Sequence, residues 1–217
     1  MIEAVVFDLD GVLLESEQVW NAAKEELTTE LGGQWRESAP RDMMGMSSTE
    51  WSRYMSDELA VGLEPQEISA EVVRRLERIY RERLPRLPGA EQAVRALRSH
   101  WPLALASSSN REIIDLALEL LGVSDCFGAT VSSEEVARGK PAPDVYLEAA
   151  RRLGVRPERC AAIEDSENGI RSAQAAGMRV IAIPNPTYPP ARAALAQVDM
   201  VLESLEGLTI EALTQIS

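Results

Sequence analysis

Short apolar runs alternate with segments of helical periodicity in the second half of the chain. The runs at residues 103–106, 160–163 and 180–183 have the length of buried strands, and helical patterns follow the first two. A similar run at residues 5–7 lies near the start of the chain. Because strands that alternate with helices form βαβ units, this pattern predicts a parallel sheet covered by helices.

A long helical stretch separates the first apolar run from the others. Between residues 16 and 85, apolar residues recur at helical spacing, and we expect Ser16 to cap the first helix. Two prolines and a glycine at residues 85–89 end the stretch sharply. The predicted fold class is therefore α/β. Residues 1–15 and 86–217 are predicted to form a Rossmann-like three-layer sandwich, and a small all-helical domain at residues 16–85 is inserted after the first strand.

The composition excludes several classes of function. The chain has 217 residues, of which 45% are hydrophobic, which is enough for a substantial core. Its formal net charge of -13 argues against binding to nucleic acid or to an anionic membrane surface, since both need clustered basic residues. Only Cys126 and Cys160 could pair, and no signal sequence or apolar run of membrane length is found. We therefore expect a cytoplasmic monomer with no nucleic-acid or membrane partner.

Polar residues follow three of the predicted strands at the point where each strand ends. They are Asp8 and Asp10, Ser107 and Ser108, and Glu164 and Asp165. In open α/β sheets, ligands bind outside the carboxyl ends of the strands, so we expect these groups to converge there. Four carboxylates that converge repel one another unless a cation binds. Mg²⁺ suits such ligands and leaves positions open for a substrate phosphate.

Two further features are typical of an anion site. Ser107 and Ser108 lie where a strand turns into a helix, and free N–H groups at a helix start attract anions. Lys140 is held in a loop by two prolines, and Lys24 is the only other lysine in the chain. Taken singly, these residues also fit helix caps and a solubilising side chain. Together with the carboxylates, they form the parts of a phosphoryl-transfer site.

In this combination the chain resembles the haloacid dehalogenase superfamily, and within it the β-phosphoglucomutase-like phosphatases with a helical cap. The motifs appear in the order of that family. They are Asp8-Leu9-Asp10-Gly11-Val12-Leu13, Ser107, Lys140 in Gly-Lys-Pro-Ala-Pro-Asp, and Glu164-Asp165-Ser166 followed by Asn168-Gly169. The resemblance implies a Mg²⁺-dependent phosphatase that acts on a small phosphorylated metabolite, a sugar or polyol phosphate.

The resemblance also implies a role for each matching residue. Asp8 would be the nucleophile that forms an aspartyl phosphate, and Asp10 would act as acid and then as base. Mg²⁺ would be held by the side chain of Asp8, the backbone carbonyl of Asp10 and Asp165, with Glu164 either a direct ligand or a neighbour of one. The phosphoryl oxygens would be held by Ser107, the amide of Ser108 and Lys140.

Two positions depart from the mutase branch of this subgroup. Mutases carry a histidine at the position of Trp20 and a cap arginine near the position of Ser48, and this chain has neither. A mutase must retain and reorient a doubly phosphorylated intermediate, so the sequence favours hydrolysis. Two alternatives stay open, a β-phosphoglucomutase-type phosphosugar mutase and a non-catalytic binding module on the same fold.

Substrate specificity is expected to come from residues of the cap and its surroundings. The candidates are Glu17, Trp20, Met44 and Arg111. Met44 lies in a methionine-rich run at residues 43–46, which includes Gly45. Methionines in such a run often fill a hydrophobic core instead, and the spacing does not decide between the two roles.

Overall fold

Six strands form one parallel sheet in the computed structural model, which describes residues 1–44 and 46–216. Gly45, part of the predicted substrate-facing run, lies outside the described residues. The strands are β1 Ala4–Phe7, β2 Leu103–Ser107, β3 Phe127–Ser132, β4 Cys160–Glu164, β5 Arg179–Ala182 and β6 Met200–Val201. Their order is β3-β2-β1-β4-β5-β6. The strand order reverses between β1 and β4, which is where open α/β sheets bind their ligands.

The helices fall into two groups along the chain. Between β1 and β2 lie α1 Glu17–Glu30, α2 Ala39–Asp42, α3 Ser48–Asp57, α4 Pro65–Glu82 and α5 Ala90–Arg98. After β2 lie α6 Arg111–Leu121, α7 Asp144–Leu153, α8 Glu167–Ala175, α9 Arg192–Leu195 and α10 Ile210–Gln215. Among the described residues, no helix combines the length and the apolar character needed to cross a membrane.

Helices cover both faces of the sheet. Alternate residues of β1 point to opposite faces, so Val5 and Phe7 share an apolar cluster with residues of α5 and α6. Ala4 and Val6 belong to the cluster on the other face, which includes residues of α7 and α8. All four residues of β1 are buried, which explains why this strand is apolar at every position. The predicted α/β fold class is confirmed.

Helices α1 to α4 pack on one another around their own apolar residues. Helix α4 contacts both α1 and α3, and Leu27, Met55 and Leu76 are buried between these helices. Helix α4 also packs against α6 of the sheet layer. The helical segment therefore has an apolar interior and a contact surface on the rest of the molecule.

The chain enters and leaves this helical segment through two strands of backbone that lie side by side. The N–H of Glu15 donates to the carbonyl of Pro85 at 2.7 Å, and the N–H of Leu87 donates to the carbonyl of Leu13 at 3.0 Å. This pairing coincides with the residue boundaries that the sequence suggests for a cap. The division into two domains stays a prediction.

Candidate active site

The carboxylate of Asp8 lies at the end of strand β1, at the centre of the carboxyl edge of the sheet. Asp8 directly follows Phe7, and its N–H continues the ladder by donating to the carbonyl of Ile163 at 3.0 Å. The residue is only 6% exposed. Its Oδ1 atom lies 3.0 Å from Nζ of Lys140, which is equally buried. The end of the central strand thus holds a carboxylate and an ammonium in direct contact.

Glu164, at the end of β4, is the second carboxylate that Lys140 contacts. Lys140 Nζ lies 2.7 Å from Glu164 Oε1, and the hydroxyl of Tyr146 donates to the same oxygen at 2.6 Å. Glu164 Oε2 accepts hydrogen bonds from the backbone N–H groups of Asp165 and Ser166, at 3.1 and 3.3 Å. Because protein donors occupy both of its oxygens, Glu164 is arranged to fix Lys140.

Asp165 completes a cluster of three buried carboxylates. Oxygens of Asp8, Glu164 and Asp165 lie within 4.8 Å of one another. At the turn after β1, a Cβ on Gly11 would lie 1.8 Å from Asp165 Oδ2, so this position requires glycine. Its φ of +81° is a second reason. Among the described residues, the one cation in contact with these buried carboxylates is Lys140, and such a donor set fits a divalent cation such as Mg²⁺.

Burial raises the pKa values of Asp8 and Asp165, and the excess of negative charge in the cluster adds to the shift. Burial raises the pKa of Asp8 to about 8, opposed by the charge of Lys140 and assisted by the charges of Glu164 and Asp10. Burial and the neighbouring carboxylates also raise the pKa of Asp165 well above its ordinary value. Burial alone would lower the pKa of Lys140, but Asp8 and Glu164 outweigh it and raise this pKa. A bound cation would neutralise this excess.

Asp10 is held by hydroxyl groups. Ser109 Oγ donates to Asp10 Oδ2 at 2.5 Å, and Ser107 Oγ is 3.4 Å from the same oxygen. Ser16 Oγ donates to Asp10 Oδ1. Ser16 is the N-cap residue of α1, as the sequence predicts, but its side chain bonds to Asp10 and makes no bond to the helix start. Hydroxyls can accept as well as donate, so this set can hold Asp10 in either protonation state.

A cleft between the sheet edge and the helical segment brings most of the predicted residues together. Its volume is about 110 Å³, room for about seven to eleven water molecules, which suits a small metabolite. The predicted residues that line it are Asp8, Asp10, Ser108, Lys140, Asp165, Glu17, Trp20 and Met44.

Three predicted residues do not line the cleft. Glu164 is fully buried behind Lys140, and Ser107 is fully buried beside Asp10, where its Oγ accepts the N–H of Ser109 at 3.0 Å. Arg111 begins α6, and bonds on the outer side of the sheet layer occupy its guanidinium. Its partners there are Asp115, Thr130 and Glu135. The sequence predicts Arg111 as a substrate-facing residue, but the structure does not place it in the cleft.

Several residues of the site have roles that the sequence does not predict. Ser109 belongs to the predicted serine run after β2, but its hydrogen bond to Asp10 is not foreseen. Lys24 lies on the same side of α1 as Glu17 and Trp20, seven and four positions earlier, and lines the cleft with them. The sequence does not indicate a role for Tyr146 in the site, because an aromatic residue on the apolar face of α7 has the pattern of an ordinary core residue.

This fold and this arrangement of side chains define a hydrolase class. The chain matches the haloacid dehalogenase-like hydrolase family over residues 2–177 and belongs to that family. The family predicted from the sequence motifs is therefore confirmed.

The similar proteins indicate which kind of hydrolase this is. The chain is 32% identical to the bifunctional riboflavin kinase/FMN phosphatase of Arabidopsis thaliana over 95% of its own length, but it spans only 54% of that protein. It is 34% identical to hexitol phosphatase B of Escherichia coli K12, over 98% of this chain and 96% of the relative. A crystal structure of CbbY from Rhodobacter sphaeroides in complex with phosphate matches it with a TM-score of 0.88 at 29% identity, covering 99% and 100% of the two chains. These relatives agree with the predicted enzyme class, a phosphatase.

Proposed function

We propose that the protein is a Mg²⁺-dependent phosphatase that hydrolyses a small phosphorylated metabolite through an aspartyl phosphate on Asp8. The observation that carries this proposal is the placement of Asp8. It leaves the central strand at the floor of the cleft, in contact with the buried ammonium of Lys140 and beside Asp165. Transfer of a phosphoryl group to a carboxylate needs such a nucleophile together with positive charge around it.

The reaction proceeds in two steps on the two aspartates. A carboxylate oxygen of Asp8 bonds to phosphorus while the bond to the leaving oxygen breaks, and Asp10 gives that oxygen a proton. Asp10 then takes a proton from a water molecule that attacks the phosphorus of the aspartyl phosphate. Asp8 is regenerated, and the products are an alcohol and inorganic phosphate. The serine hydroxyls around Asp10 suit both of its protonation states.

The other site residues position the phosphoryl group. Lys140 and the backbone of Ser108 hold its oxygens, while Ser107 supports Asp10 from behind. Asp8, Asp165 and the backbone carbonyl of Asp10 are the proposed holders of Mg²⁺. When bound, the ion stabilises the negative charge of the phosphoryl oxygens.

The helical segment at residues 16–85 is proposed to act as a cap that excludes water from the site. Ser48 Oγ donates to Glu134 Oε1 at 2.8 Å across the boundary between this segment and the sheet layer. Ser16 makes a second such bond, to the catalytic Asp10. Exclusion of bulk water protects an aspartyl phosphate until the leaving group has departed.

The proposed substrate is a sugar or polyol phosphate. The similarity to a hexitol phosphatase over nearly the full length of both chains supports this class, as does the size of the cleft. Trp20 lines the cleft at the position where a mutase would carry histidine, which favours hydrolysis over phosphate migration. The mutase alternative predicts interconversion of glucose phosphates in the presence of a glucose bisphosphate, at a rate above that of phosphate release.

The experiment that tests the proposal compares Asp8→Asn with the wild type. Phosphate release from p-nitrophenyl phosphate with Mg²⁺ is expected to fall at least about 1000-fold, because the nucleophile is lost. Asp57→Asn, an exposed substitution at the end of α3 with the same charge change, is the control and should retain full turnover. Undiminished activity in Asp8→Asn would contradict the assignment of the nucleophile.

A further inference from the structure

The chain has only two lysines, and both are buried in the same cleft. Lys140 and Lys24 are each 6% exposed, and both line the cleft. The other basic side chains are arginines, apart from one histidine. Lysine in this protein is thus not a solubilising residue. Lys140 holds Asp8 and Glu164, which leaves Lys24 without an assigned task.

Two tryptophans fix the position of Lys24. Its Nζ lies 5.3 Å from the ring centroid of Trp20 and 4.9 Å from that of Trp51. The two rings contact each other edge to face, with centroids 6.0 Å apart. Both distances lie within the range of cation–π attraction, so the ammonium is oriented by rigid groups from α1 and α3.

Lys24 has no hydrogen-bond acceptor within the part of the chain that the structure describes. No carboxylate there comes within ion-pair distance of its Nζ, in contrast to Lys140, which contacts two. Burial lowers the pKa of Lys24 to about 8, although the charges of Glu17 and Asp10 act in the opposite direction. An ammonium withdrawn from water in this way is costly unless a partner neutralises it.

The nearby acid does not supply that partner. Glu17 lies two helical turns before Lys24 on α1, and its Oε1 accepts a hydrogen bond from Asn21 at 3.3 Å. Burial raises the pKa of Glu17, although the charge of Lys24 acts in the opposite direction. The two groups therefore face the cleft without forming a salt bridge.

We propose that Lys24 binds a second anionic group of the substrate, at the end remote from the phosphate that Asp8 attacks. This inference rests on the proposed phosphatase function and narrows its substrate class to metabolites that carry a carboxylate or a second phosphate. A hydroxyl group would give the ammonium an acceptor but would not neutralise its charge. An anion does both, and hydrogen bonds between charged groups are the stronger kind. The faces of Trp20 and Trp51 shield this contact from water.

The experiment compares three esters that share one carbon skeleton. They are a hexitol phosphate, which is neutral at its far end, phosphogluconate, which carries a carboxylate there, and the hexitol bisphosphate. The kcat/KM for phosphate release is measured with Mg²⁺ for the wild type, Lys24→Met and Lys24→Arg. Lys24→Met keeps the length of the side chain and its packing on the tryptophans, whereas Lys24→Arg keeps the charge. Cooperative melting establishes that each variant is folded, and Lys24→Gln replaces Lys24→Met if it is not.

The expected result is a change in preference. The wild type has a higher kcat/KM for at least one anionic ester than for the neutral ester. In Lys24→Met, the ratio of these kcat/KM values falls by about 10- to 100-fold, mainly because KM for the anionic ester rises. Lys24→Arg retains most of this preference. The anionic ester whose kcat/KM falls most in Lys24→Met shows whether the bound anion is a carboxylate or a phosphate. An equal loss on all three esters, or a wild-type preference for the neutral ester, overturns the inference and leaves the phosphatase proposal standing. No release from any phosphate ester by the wild type overturns both.

Discussion

Protons and Mg²⁺ should compete for the buried carboxylates at the end of β1 and β4. Burial raises the pKa of Asp8 to about 8, whereas its ordinary value is 3.8. In protein stripped of metal, about nine molecules in ten therefore carry a proton on this carboxyl at neutral pH. Since a cation binds the ionised form, each Mg²⁺ that enters must displace that proton.

The size of the effect follows from this pKa. The dissociation constant for Mg²⁺ should fall at least about 50-fold between about pH 6 and about pH 8, because Asp8 alone gives this factor and protons on Asp165 add to it. Isothermal titration calorimetry in two buffers of different ionisation enthalpy measures both the affinity and the number of protons released. Asp8 alone accounts for about one proton released at the lower pH and about half a proton at the higher pH, and the raised pKa of Asp165 adds to the number released.

One variant and a matched control test whether Asp8 causes this pH dependence. In Lys140→Met the ammonium that lowers the pKa of Asp8 is lost, so the competition should extend to higher pH. Arg78→Met removes the same positive charge at an exposed site on α4 and should behave as the wild type. A dissociation constant that is the same at both pH values, with no dependence of the heat on the buffer, would refute the reasoning.

The same shift predicts how stability depends on pH. Because the pKa of Asp8 is higher in the folded chain than in the unfolded chain, the folded state binds more protons between the two values. The contribution of this carboxyl to stability is therefore fully present below about pH 4 and is lost as the pH rises through about 8. In EDTA, the melting temperature should be lower at about pH 8 than at about pH 6, and Mg²⁺ should remove much of the difference.

Two substitutions test the packing of the cluster. Gly11→Ala puts a Cβ 1.8 Å from Asp165 Oδ2, so Mg²⁺ affinity by calorimetry should fall at least about tenfold. Gly154→Ala is its control, with a φ of +71° and open space, and should cost about 1 kcal/mol of stability with unchanged turnover. Tyr146→Phe removes the 2.6 Å bond to Glu164 and should lower the free energy of urea unfolding by about 1 kcal/mol. Wild-type affinity in Gly11→Ala, or wild-type stability in Tyr146→Phe, contradicts these contacts.

The residues at the strand ends could be predicted because their position depends on local sequence. Once 5–7 and 160–163 are read as parallel strands, the residues that follow them must meet at one edge of the sheet. That argument brings Asp8 and Asp165 together without knowledge of the tertiary structure. The order of the motifs along the chain then suggests the family.

The supporting residues could not be predicted because they depend on how distant segments meet. Ser16 reads as a helix cap, but the cap segment turns its hydroxyl to Asp10. Tyr146 has the pattern of a core aromatic, and only the approach of α7 to β4 brings its hydroxyl to Glu164. Lys24 lies on a helix whose burial in the cleft depends on the packing of the helical segment against the sheet.

The balance of charge in the cluster shows why Glu164 is needed although it is screened from the cleft. Asp8, Glu164 and Asp165 carry three negative charges when ionised, and Lys140 carries one positive charge, so the net charge is minus two. One divalent cation cancels that charge. If Glu164 were neutral, Asp8, Asp165 and Lys140 would carry a net charge of minus one, and binding of Mg²⁺ would leave one excess positive charge. Glu164, with both oxygens occupied by protein donors, therefore matches the charge of the site to a divalent ion while it fixes Lys140 against Asp8.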